Sequence, residues 1–141
     1  FPGTDAMKGV GMMAVEFFEH KLDSPVVQRG AAYLSRQADA TDQFFTNPFL
    51  NNYYLWYNCT MAMFQVGGEP WKRWNGAVRD RVIGLQVQGE GCDRGSWPPY
   101  GRYGGQGGRV YTTALAVLTL EVYYRFQRIA GQPEKGKFFE K

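Results

Sequence analysis

The feature that most constrains this chain is the order of two kinds of helical segment. Five stretches carry apolar residues at helical spacing, over about 5–19, 25–37, 52–66, 70–86 and 109–128. The first is apolar almost all round from Val10 to Phe18, with Met12, Met13, Val15 and Phe17 between. The third starts Tyr53, Tyr54, Leu55, Trp56, Tyr57 and continues Met61, Ala62, Met63, Phe64. The fifth runs through Val110, Leu115, Val117, Leu118 and Leu120. A helix with no wet side must be covered on every side. The second and fourth are one-sided. Val27, Ala31 and Leu34 make one stripe and Trp71, Trp74, Val78, Val82 and Leu85 the other, with charged residues elsewhere. Local signals agree. Ser24 before Pro25 starts a helix, and Gly67-Gly68 stops one.

The order is therefore buried, one-sided, buried, one-sided, buried. This predicts an all-α fold in two layers, a partial array of about five helices alternating inner and outer. The inner segments begin near residues 5, 52 and 109, a spacing of roughly 50 residues that suits helical-pair repeats. No strand pattern competes. Residues 1–141 read as a single α/α-repeat domain, with 129–141 as a C-terminal tail. The loops near 39–48 and 89–108 are long and polar, and read as repeat linkers.

Composition closes several classes. Hydrophobic residues make up 44% of the chain, enough for a core and too many for wholesale disorder. The net charge of +3 comes from scattered Lys and Arg, so no nucleic-acid footprint is present. No apolar run reaches the ~18 residues a membrane span needs. The best, 114–122, is broken by Thr119 and Glu121. Cys59 and Cys92 are compatible with a disulfide, although two free thiols are commoner in such a chain.

Gln86, near the end of the fourth helix, is followed by a Gly-rich loop and then Gly95-Ser96-Trp97. This resembles the Gln-Trp repeat of the squalene–hopene cyclase and prenyltransferase superfamily, the α/α toroids. Gly107-Gly108-Arg109-Val110-Tyr111-Thr112 then resembles the start of an inner toroid helix, and residues 30–37 a degenerate earlier copy without the Trp. Residues 53–74 with 121–125 are similar to bacterial proteins carrying prenyltransferase and squalene-oxidase repeats. The resemblance spans about residues 4–128. It implies an α/α-toroid-like repeat in a soluble or peripheral bacterial protein. It gives Gln86, Gly95 and Trp97 a structural role, the Gln amide satisfying carbonyls at a helix end and the Trp ring stacking over it. A complete toroid has more than twice as many helices, so the chain reads as a fragment of a longer toroid or a piece stabilised by a partner. Its terminal inner helices would then expose apolar faces.

The chemistry of that superfamily needs residues that are missing here. Its cyclases use an Asp-x-Asp-Asp run, in which clustered carboxylates keep one acid protonated. The nearest pair, Asp39 and Asp42, reads as turn and cap residues. Its protein prenyltransferases hold zinc through Asp, Cys and His, where this chain has Val110-Tyr111-Thr112. Related thioester domains need a Gln three residues after a Cys, and Cys92 has Gly95 there. His20, the single histidine, suits a helix end. Gly101 to Gly108 lacks the Lys-Ser/Thr of a phosphate loop, although Arg109 at a helix start would suit an anion. No catalytic residue, metal site or cofactor is expected.

Aromatic residues near the inner helix starts, Tyr53, Tyr54, Trp56, Tyr57 and Tyr111, together with Arg109, are the candidates for lining a ligand or partner surface. Core packing is the competing role. The expected function is a non-catalytic α/α-repeat module that binds or scaffolds within a larger assembly. Its partner would be another protein chain or a missing part of the same chain, with an apolar ligand as a further candidate. The alternative is the remnant of a terpene cyclase or prenyltransferase-like enzyme acting on isoprenoids.

Overall fold

The third segment shows best why this sequence folds as it does. A computed structural model describes residues 5–39, 52–101 and 103–125. In chain order its helices are α1 (Asp5–Glu19), α2 (Pro25–Asp39), α3 (Tyr53–Val66), α4 (Gly68–Gly84), α5 (Gly104–Leu120) and the single turn α6 (Val122–Arg125). The fold is all-α, and the described residues contain no strand.

Helix α3 starts where the Asn52 side chain accepts from the Tyr54 backbone N–H at 3.0 Å. This satisfies one of the donors that a helix start leaves open. It ends at Gly67, whose N–H donates to the Met63 carbonyl. Gly67 has φ 70°, a left-handed conformation that glycine takes without steric cost, and the same residue begins α4. One residue thus makes the whole corner between two helices. Eleven of the fourteen α3 residues are buried. Inside it, Asn58 donates to the Tyr54 carbonyl at 2.7 Å, and the Thr60 hydroxyl accepts from the Trp74 indole at 3.0 Å.

The other helices pack around α3. Helix α1 meets α3 and α2, α4 meets α3 and α2, and α5 meets α3 and α4. This makes one row of α1, α3 and α5 with α3 in the middle, backed by a second row of α2 and α4. Helix α4 runs antiparallel to α3, since Phe64 stacks edge-on to Trp71 at 5.4 Å while Thr60 bonds Trp74. The α4 stripe Trp71, Trp74, Val78 and Val82 is buried, as is the α2 stripe Val27, Ala31, Leu34 and Ala38. Fully burying side chains of this size contributes roughly 1.5–3 kcal/mol each. Helices α1 and α3 approach closely because Gly9 lies between them: a Cβ there would sit 2.9 Å from the Cys59 backbone nitrogen.

The structure corrects three expectations. The first and fifth segments are not covered on all sides. Among the described helices they are the ends of the row, each with a neighbour in that row on one flank alone. Phe18 is 87% exposed and Val110 83%. The fifth helix begins at Gly104, inside the expected linker, and bends at Gly108, where φ is 70°. It stops at Leu120, and a break at Glu121 separates it from α6. Finally, α4 ends at Gly84, two residues before Gln86. The expected linker near 39–48 and the tail 129–141 fall, apart from Asp39, outside the described residues. Asp39 itself closes α2 and pairs with Arg73 at 3.3 Å.

Candidate functional site

The aromatic residues at the start of α3 divide by helix face. Tyr53 and Trp56 point inward and meet edge-to-face at 5.2 Å, both buried. Burial pushes the Tyr53 hydroxyl up to about 12, so it stays protonated. These two belong to the core. Tyr54, Tyr57 and Tyr111 are half-buried. Tyr54 packs edge-on against Tyr103 at 5.9 Å, which shows that α3 and α5 start at the same end. The Tyr111 hydroxyl is raised above its usual range by burial, then by Tyr103 and Tyr54 nearby. Tyr54, Tyr103 and Tyr111 therefore form a small aromatic rim, and Tyr103 is a member that the sequence reading missed.

Arg109 does not present a free guanidinium to a ligand. It donates to the Ser96 hydroxyl at 3.0 Å and lies 3.7 Å from an Asp93 carboxylate oxygen. It thereby fastens α5 to the loop that carries Trp97. That loop holds Gln86, Gly95 and Trp97 in one corner, with roles that differ from the expected ones. The Gln86 amide donates to the Gly95 carbonyl at 2.9 Å and closes the loop. The Trp97 indole, not the Gln amide, reaches the helix end, donating to the Val82 carbonyl at 2.6 Å. The Trp97 backbone is held from the other side: its N–H donates to the Thr113 hydroxyl at 3.1 Å, and its carbonyl accepts from Thr112 at 2.8 Å. Trp97 is 4% exposed and joins α4 to α5.

The remaining chemistry is sparse. Among the described residues no three His, Cys, Asp or Glu side chains come together as a metal site would require. No described helix is long and apolar enough to cross a membrane. Both cysteines are free; Cys92 is exposed, and burial pushes the Cys59 thiol up to about 12. An open groove of about 240 Å³ lies between α4 and α5, lined by Val78, Ile83, Thr119 and Leu120 among others. It is smaller than the roughly 300–1,000 Å³ typical of a small-molecule site.

The largest unexplained feature is the outer face of α1. At 100° per residue, Met7, Val10, Gly11, Ala14, Phe17 and Phe18 fall on one arc opposite the buried Gly9, Met12 and Glu16. The arc carries no charged or hydrogen-bonding side chain. Met7 is 52% exposed and Phe17 40%. Asp5, Lys8 and Glu19 all lie off this arc, with Asp5 and Lys8 engaged with each other at 2.6 Å and with Tyr33. Helix α5 does the same on a smaller scale. Its outer arc is Val110, Ala114 and Val117, all exposed. By contrast α2 and α4 turn Arg29, Arg36, Lys72, Arg73 and Asp80 to water. These two arcs were legible in the sequence as apolar positions, and exposed apolar faces on the terminal inner helices were expected of a partial array. No family model, curated protein or solved structure matches the chain.

Proposed function

We propose that this chain is a non-catalytic helical-repeat module that docks other protein through the open ends of its inner row, and so serves as a binding or scaffold unit of a larger assembly. The observation that carries this reading is the outer arc of α1, where six successive surface positions are apolar or glycine while the second row is charged. Soluble proteins rarely leave a contiguous apolar patch of this kind uncovered, and such patches mark interaction surfaces. The residues first suspected of ligand work support the same reading from the other direction. Tyr53 and Trp56 pack inside, and Arg109 is held by Ser96 and Asp93. On this reading the inner row is a stretch of an α/α-toroid-like array, whose ends another chain or further sequence would continue.

The test rests on separating docking from core roles. At submicromolar concentration, the folded chain is expected to bind an apolar fluorescent dye. The double variant Phe18→Asp with Val110→Asp should lose most of that signal. It should keep its helical circular dichroism and its stability within about 0.5 kcal/mol, as surface substitutions do. A double variant that unfolds would show that these faces are interior and would overturn the proposal.

A further inference from the structure

We infer that Glu16 is a proton-operated latch on α1: the helix lies against α2 and α3 while this carboxyl carries its proton, and lifts away as the carboxyl ionises. The inference is independent of what the outer arc of α1 binds, because it concerns the opposite flank.

Three observations carry it. First, Glu16 belongs to the packed stripe of α1. Gly9, Met12 and Glu16 are buried positions about one turn apart. Gly9 meets α3, where an added Cβ would come within 2.9 Å of Cys59 Sγ. Met12 fills the space beside Gly30 of α2, where an added Cβ would lie 2.4 Å from its Sδ. Glu16 continues this stripe at 1% exposure, and neither carboxyl oxygen has a hydrogen-bond partner. A carboxylate without partners is strongly disfavoured in such a place, so ionisation drives it toward water. Second, no charge answers it. Helix α1 packs on α2 and α3. Their ionisable side chains are Arg29, Tyr33, Arg36 and Asp39 on α2, and Tyr53, Tyr54, Tyr57 and Cys59 on α3. Tyr33 and Cys59 meet α1 at Asp5, Lys8 and Gly9, roughly 10–16 Å along the helix from Glu16. Beyond the helix end, Glu19, His20, Lys21 and Asp23 are exposed. Burial alone raises the Glu16 carboxyl, from 4.5 to about 8. Third, α1 can leave without dismantling the rest. It is an end of the row among the described helices, and α3, α4 and α5 keep their mutual packing when it lifts. The turn that joins it to α2 opens at His20, held at φ 53°, a conformation that is unfavourable for a residue with a side chain.

Cys59 lies under α1 and reports its release. The experiment follows alkylation of this thiol from pH 6 to 8 in the full chain carrying Cys92→Ser. The same thiol in the urea-unfolded chain is the reference, which cancels its own ionisation. Protection of Cys59 is expected to fall roughly 50-fold over this range, because the released state ionises freely and the packed state does not. Adding Glu16→Gln, or Glu16→Met as a second variant, should leave protection constant with pH. Both variants retain His20, so a flat course assigns the change to Glu16. Amide hydrogen exchange at Trp74, Val78 and Val82 of α4 separates release of α1 from unfolding of the whole chain. Protection there should exceed that of Cys59 at least tenfold at every pH. Three results would overturn the inference. One is Cys59 protection that does not change with pH in the Cys92→Ser chain. Another is the same fall in the Glu16 variants. The third is α4 amides no better protected than Cys59, which would mean that the thiol is reached only by global unfolding. The first and third need no change at Glu16, so a variant that fails to fold leaves the test intact.

Discussion

Glu16 sits on the wrong side of its helix for a carboxylate. It is 1% exposed, and neither carboxyl oxygen has a hydrogen-bond partner. It faces the α1 flank that packs on α3 and α2, while the opposite flank of the same helix is apolar and wet. Burial raises its pKa from 4.5 to about 8. The native state therefore holds a proton that the unfolded state releases. Stability is full below about pH 4.5, falls as pH rises through the interval to about 8, and levels off above it. The ceiling on this loss is on the order of 5 kcal/mol. Glu16→Gln keeps the shape and removes the titration. Urea midpoints measured from pH 5 to 9 should decline for the wild type and stay flat for the variant. Parallel curves for the two proteins would refute the assignment.

At the scale of elements, hydrophobic pattern and neighbour count must agree, and α3 is where they do. Its apolar circumference is met by α1, α4 and α5. Helices α1 and α5 have nearly the same circumference and, among the described residues, fewer helical neighbours, which leaves their outer flanks exposed. The corner between α4 and α5 shows a second element-level point. Gln86 and Trp97 stand out equally in the sequence, but the structure gives them unequal weight. Trp97 is buried and bonded to both helices, whereas the Gln86 side chain bonds to Gly95 and Gln88 of the loop. Trp97→Ala should cost roughly 3–5 kcal/mol, as large-to-small core substitutions of aromatics do. Gln86→Ala should cost about 1 kcal/mol or less, the net worth of one partly solvated hydrogen bond. Equal thermal shifts for the two variants would mean that the loop, and not the indole, holds the corner.

For the molecule as a whole, the two thiols report on cooperativity. Cys92 is exposed in the loop, while Cys59 is fully buried beside Gly9, with its thiol pushed up to about 12. A thiol reagent at neutral pH is expected to modify one cysteine per chain promptly. The second should react only as fast as the core opens. Prompt reaction at both would mean that α1 detaches readily from α3. Much of this architecture was legible beforehand. The stripes of α2 and α4, the start at Ser24-Pro25 and the stop at Gly67 follow from side-chain periodicity and turn chemistry, which act within a few residues. The aromatic candidates were less legible, because adjacent residues such as Tyr53 and Tyr54 share a composition and part only by helix face.

Sequence alone determined that this chain is helical, where most helices start and stop, and which stripe of each outer helix is apolar, since all of these depend on short-range backbone and side-chain physics. Only the tertiary structure decided which of the three apolar helices would be covered. That depends on how many neighbours surround each one, and a row of three helices has one middle and two ends. The same arithmetic placed Glu16 inside and Phe18 outside.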